Sequence, residues 1–109
     1  MTAEPQLPPV SGQVAPIRVL VVDDSGFMRL AIRKMVDRVE GIEVVGEARD
    51  GRSAIELARR LNPDVITMDL EMPKMDGLSA IREIMDACPT PIIVVSSLSQ
   101  PGADDTLRA

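Results

Sequence analysis

The run Ile17-Arg18-Val19-Leu20-Val21-Val22-Asp23-Asp24-Ser25 decides how the rest of the chain is read. A β-branched apolar segment that stops abruptly at two carboxylates and a serine predicts a short buried strand and then a helix start. Val and Ile suit the pleated backbone, and the Ser25 hydroxyl can accept from a free N–H of the first helical turn. Beyond it Met28, Ala31, Ile32, Met35, Val36 and Val39 recur at the three-and-four spacing of one helical face. The same order then repeats. A strand over residues 42–45 precedes a helix that follows Asp50-Gly51, with Ala54, Leu57, Ala58 and Leu61 on one face and Asn62-Pro63 as its stop. A strand at Val65–Met68 leads to a helix through Gly77, Leu78, Ile81, Ile84 and Met85, ending near Pro89, and a last strand spans residues 92–95. Strands that alternate with crossover helices build a parallel sheet, so the fold class is α/β. Three strands read as nearly continuous apolar runs, interrupted only by Arg18 and Thr67, as expected when both faces are covered; the second carries Glu43 and suits an edge.

Upstream, residues 1–16 hold Pro5, Pro8, Pro9 and Pro16 with no helical or strand period, and are expected to be a disordered lead to one domain at 17–109. Composition narrows the chemistry. With no histidine among 109 residues, every Ser-His, Cys-His and His-metal arrangement is excluded. A net charge of -5 and a single aromatic residue, Phe27, argue against a nucleic-acid partner, which needs a basic surface and stacking rings. Cys88 is alone, so no internal disulfide forms; it is expected to be a small buried residue in a cytoplasmic protein. No apolar run approaches the roughly 20 residues that cross a bilayer, so membrane insertion is not expected. Methionines on the helix faces are expected to be flexible core filler.

In a parallel sheet, side chains at the carboxyl ends of the strands meet in one crevice. Asp23 and Asp24 follow the first strand, Asp69 the third and Ser96 the fourth. One Asp after a strand is ordinarily a turn or capping residue; the coincidence of three is the signal. Carboxylates held together repel, and a hard divalent cation with oxygen ligands relieves them. Without imidazole or thiolate at the strand ends, Mg2+ suits such a site better than zinc. Asp69 could then attack phosphorus as a nucleophile, and Ser96 could donate to a phosphoryl oxygen.

These residues carry a resemblance. Val21-Val22-Asp23-Asp24-Ser25, the run from Met68-Asp69-Leu70-Glu71-Met72-Pro73-Lys74-Met75 to Asp76-Gly77, and Val95-Ser96-Ser97 resemble the receiver domain of two-component response regulators. Ser25-Gly26-Phe27-Met28-Arg29 and residues 89–100 are similar to the receiver of chemotaxis protein-glutamate methylesterases. The resemblance implies a flavodoxin-like, doubly wound parallel sheet of strand order 2-1-3-4, lacking the fifth strand and helix. It implies Asp69 as phospho-acceptor and metal ligand, Asp24 as a direct Mg2+ ligand, Asp23 as a ligand through water, Glu71 as a ligand through its backbone carbonyl, and Ser96 as the switch hydroxyl. Met72-Pro73 and Asp76-Gly77 would shape the loop past the acceptor. A histidine kinase would be the phosphodonor, and an output domain would lie in a longer protein. The chain itself is not expected to be an enzyme, because the methylesterase domain is absent.

The family pattern runs on to a fourth and fifth helix and a fifth strand ending in Lys-Pro. Here the only lysines are Lys34 and Lys74, neither at the matching place. Without a fifth strand the fourth should keep an open edge, so self-association through that edge is expected. Two other readings compete. One is a truncated or non-phosphorylated receiver-like interaction module, in which the acids only bind a cation. The other, a nucleotide or flavin enzyme, needs a glycine-rich phosphate loop where Asp-Asp-Ser-Gly stands.

Overall fold

The computed structural model describes residues 15–72 and 76–95. Seven elements alternate: β1 (Ile17–Val22), α1 (Gly26–Asp37), β2 (Ile42–Ala48), α2 (Gly51–Leu61), β3 (Val65–Met68), α3 (Gly77–Ala87) and β4 (Ile92–Val94). All strand pairs are parallel and the order is β2-β1-β3-β4, which is the flavodoxin-like arrangement that the resemblance implied. β2 lies at the edge that its charge suggested.

Strand alternation sorts the apolar residues into two cores. Leu20 and Val22 of β1 point with Ile66 and Met68 of β3 toward α2 and α3, where they meet Ala54, Ile55, Ala58, Ala80 and Ile84. Val19 and Val21 point the other way and pack with Ile32 of α1, flanked by Val36, Ile42, Val44 and Val65. Burying a residue such as Leu20 or Ile66 stabilises by roughly 1.5–3 kcal/mol relative to exposure, so the α2–α3 face contributes most of the cohesion.

Each helix begins on a side-chain acceptor. Ser25 Oγ accepts from Met28 N at 3.2 Å, Asp50 Oδ1 from Ser53 N at 2.8 Å, and Asp76 Oδ1 from Ser79 N at 2.8 Å. A cap of this type is worth about 1 kcal/mol. α2 ends at Asn62, whose left-handed φ of 48° closes the helix just before Pro63.

Several boundaries and faces differ from the sequence reading. β2 runs on to Ala48 because Gly46, Glu47 and Ala48 continue the ladder with Leu20, Val21 and Val22 after a bulge that skips Val45. Their small and polar side chains hide the strand from a hydrophobicity pattern. α1 stops at Asp37, with Val39 N turning back to Val36 O at 2.9 Å, so Val39 lies outside the helix and is exposed. Met35 and Met85 are exposed, not core filler, and Leu78 also faces outward; Ala80 takes the buried place on α3. The smaller residue wins there because α2 and α3 approach closely over the sheet. β4 is not covered on both faces: Ile93 is 55% exposed and Val94 is also exposed. Cys88 is half-buried against the α2–α3 core. The lead at 1–14, the loop residues Pro73, Lys74 and Met75, and everything from Ser96 onward lie outside the described residues.

Candidate functional site

The chain reverses direction across the sheet between β1 and β3: β1 connects outward to β2, and α2 then carries the chain back past β1 to β3. At such a switch point the connections part and leave a crevice beyond the strand ends. Asp23 and Asp69 stand there, one residue past β1 and β3. Both stay in register with the sheet, Asp23 N donating to Ala48 O and Asp69 N to Val22 O, each at 3.0 Å.

The two residues are built alike. Each is 1% exposed. Each accepts through Oδ1 from the backbone N–H two residues on, Ser25 N at 2.9 Å for Asp23 and Glu71 N at 3.2 Å for Asp69. Each keeps Oδ2 buried and without a hydrogen-bond partner. A buried carboxylate oxygen without a donor is costly, and two side by side are costlier. Asp24, exposed at the rim, completes the group: one carboxylate oxygen from each of Asp23, Asp24 and Asp69 lies within 4.8 Å of the others. Burial pushes the Asp69 carboxyl above the usual carboxylate range, and the charges of Asp23, Asp24 and Glu71 push the same way against the Glu71 N–H.

This donor set fits a hard divalent cation. It offers oxygen alone, no ion pair among the described residues uses its carboxylates, and two of its oxygens face inward with nothing to accept from. Of the residues singled out from sequence, Asp23, Asp24 and Asp69 are brought together. Glu71 lies alongside, exposed, with its N–H on Asp69. Ser96 is outside the described residues, though Val95, just before it, holds its place beside β3 through Val95 N to Met68 O at 2.9 Å.

A family model for the response regulator receiver domain matches residues 19–109. The chain belongs to that family. The receiver is 59% identical over 93 residues to a protein-glutamate methylesterase/protein-glutamine glutaminase of Alkalilimnicola ehrlichii, covering 85% of this chain and 24% of the relative. To the enzyme of the same name from Pyrococcus horikoshii it is 52% identical over 93 residues, 85% of this chain and 25% of the relative. The chain thus spans about a quarter of the length of these curated relatives, and the part it shares with them is the receiver domain. Among solved structures it is similar to the response regulator domain of Thermotoga maritima CheB, with TM-score 0.75 and 51% identity over 84% of this chain and 69% of that one. It is also similar to a chain of the CheX-CheY-BeF3-Mg2+ complex of Borrelia burgdorferi, with TM-score 0.69 and 32% identity over 86% of this chain and 72% of that one. The receiver is therefore of the CheB-like chemotaxis branch, as Ser25-Gly26-Phe27-Met28-Arg29 and residues 89–100 suggested. No described helix is long and apolar enough to cross a membrane.

Of the residues that the resemblance gave a loop-shaping role, Met72, Asp76 and Gly77 flank residues 73–75, and Pro73 is outside the described residues. Met72 is buried in the α2–α3 core, and Asp76 caps α3. Gly77 N donates to Leu70 O at 2.9 Å, and a Cβ there would stand 2.5 Å from Asp69 O and Leu70 Cα. Sequence reasoning missed an ionic bridge behind the crevice, formed by Arg29 and Arg33 of α1 with Glu47 of β2. The spacing of the two arginines, one turn apart on α1, was its only visible signal.

Proposed function

We propose that this receiver accepts a phosphoryl group on Asp69 in a Mg2+-dependent reaction, with a histidine kinase as donor. The buried, unpartnered Oδ2 oxygens of Asp23 and Asp69 beside Asp24 carry the reading. Asp24 and Asp69 would hold the cation directly, Asp23 through water, and Glu71 through its backbone carbonyl. When bound, Mg2+ offsets the charge of incoming phosphoryl oxygens and favours in-line transfer. Asp69 Oδ2 is the free nucleophile: as its bond to phosphorus forms, the donor's phosphorus–nitrogen bond breaks and the donor imidazole keeps that electron pair. Asp69 Oδ1 stays on Glu71 N, which keeps the side chain oriented. The Ser96 hydroxyl would donate to the acyl phosphate and draw the segment after β4 inward. The output would be a methylesterase domain in a longer protein, as the names of the relatives suggest, and that protein would be cytoplasmic. The chain itself performs no hydrolysis of methyl esters in this reading, and isolated copies would associate along β4.

A two-dimensional amide NMR spectrum tests it, recorded without ligand and then with Mg2+ and beryllofluoride, with Asp69→Asn as control. Shifts centred on Asp24, Asp69 and Ser96 that vanish in the control are expected. A dispersed spectrum that responds to Mg2+ but not to beryllofluoride would reject phospho-acceptance and leave a cation-binding interaction module.

A further inference from the structure

The bridge behind the crevice ends on a metal-loop residue. Arg29 Nη1 donates to the backbone carbonyl oxygen of Asp23 at 2.7 Å, and Arg29 Nε donates to Glu47 Oε1 at 3.1 Å. Glu47 in turn takes Arg33 through its other oxygen, with Nε at 2.8 Å and Nη2 at 2.7 Å. The side chains of Arg29 and Glu47 are 21% and 31% exposed. The two arginines hold the Glu47 carboxyl below its usual range, Arg33 first. Ion pairs at this exposure contribute little to stability by themselves, so what the bridge is aimed at matters more than its energy.

Its aim is specific. The guanidinium takes the peptide oxygen of Asp23 and leaves the Asp23 carboxylate alone, whose Oδ1 is on Ser25 N and whose Oδ2 has no partner. An arginine on the carboxylate would compete with a cation for it; on the carbonyl it fixes the peptide from which both Asp23 and Asp24 are hung. Glu47 lines up the planar fork so that Nη1 has one direction to point. Because Glu47 belongs to β2 and Asp23 N bonds to Ala48 O, the loop is tied at both backbone atoms of Asp23 to the same end of the sheet.

We propose that Arg29, braced by Glu47, is a positioning residue that presets the Asp23–Asp24 loop for a divalent cation. The inference rests on the metal-binding reading given above. Partners that orient metal ligands typically change affinity by about 10–100-fold when removed. The sign of the effect is diagnostic: losing a positive charge near three carboxylates would by itself strengthen cation binding, whereas losing the positioning contact weakens it.

The test is a Mg2+ titration without any phosphoryl donor, followed by the amide shifts of Ser25 and Glu71, on the unmodified chain, Arg29→Met, Arg29→Lys, Glu47→Gln and the α2 control Ile55→Val. Arg29→Met is expected to bind Mg2+ about tenfold more weakly. Glu47→Gln should fall between it and the unmodified chain, Arg29→Lys should recover part of the loss, and Ile55→Val should lower thermal stability but not affinity. Equal or tighter Mg2+ binding by Arg29→Met overturns the inference, as does an equal loss in Ile55→Val, which would make the effect one of stability. Should Arg29→Met fail to fold, Glu47→Gln decides by the same criterion. An unmodified chain that shows no Mg2+-dependent shift defeats the metal reading itself and the inference with it, an outcome that the first titration alone identifies.

Discussion

Asp23 and Asp69 each bury a carboxylate while leaving one oxygen without a donor, and a fold held together by a few kcal/mol keeps such a feature only where something else is gained. For Asp69 the consequence is a pH dependence of definite sign. Its folded-state pKa is raised, so the native state binds its proton to higher pH than the unfolded chain does. Stability therefore falls as pH rises from the ordinary carboxylate value through the raised one, and the whole loss is present above it. Asp69→Asn is expected to raise the metal-free melting temperature at neutral pH, and the gain should shrink as the pH is lowered through the carboxylate range. Thermal unfolding of both chains in a chelator across that range checks it; a variant that melts lower than the parent at neutral pH would contradict the account. Asp23, Asp24 and Asp69 were all legible as a group from the sequence, because strand ends meet in a parallel sheet. Which oxygens are free was not, since that depends on the backbone N–H groups of Ser25 and Glu71 turning toward them.

At the level of elements, α3 ties the core to the crevice through its first residue. Gly77 lies so close to the Asp69–Leu70 backbone that a methyl group cannot enter without moving it. Gly77→Ala is expected to destabilise by about 1–3 kcal/mol, despite the better helix propensity of alanine, and to weaken Mg2+ binding by shifting Asp69. Denaturant unfolding together with a Mg2+ titration measures both; unchanged stability would mean that the loop yields freely. The helices were legible in existence and order because their periodicity, and for α1 the Ser25 cap, are local. Their buried faces were less so. The pattern named Leu78, Ile81, Ile84 and Met85 on α3; Ile84 is buried as expected, but Leu78 and Met85 are exposed and Ala80 is buried instead, since close approach of α2 selects for small side chains more than for apolar ones. The last part of β2 was missed for a related reason: Gly46 and Glu47 are held in the ladder by β1, not by their own preference.

Across the whole molecule the two faces of the sheet are unequally covered. Among the described residues, α2 and α3 lie together over one face, α1 alone covers the other, and β4 is the outermost strand, with Ile93 and Val94 exposed. An exposed apolar edge of this kind templates pairing. The isolated chain is expected to show a concentration-dependent rise in mass by light scattering, and Ile93→Lys, which places a charge on that strand, to suppress it. A monomer at every concentration would show that the edge is covered by other means.

Strand–helix alternation, the acids at the strand ends and the Ser25 cap follow from the sequence alone, because each depends on neighbours a few residues away. The right strand order followed from the resemblance, and the parallel ladder then realised it. Only the tertiary structure decided which apolar faces are buried, how far β2 extends, and that Arg29 and Glu47 meet behind Asp23. Those features join residues far apart in the chain, and their energies exist only once the sheet has brought the partners within a few ångströms.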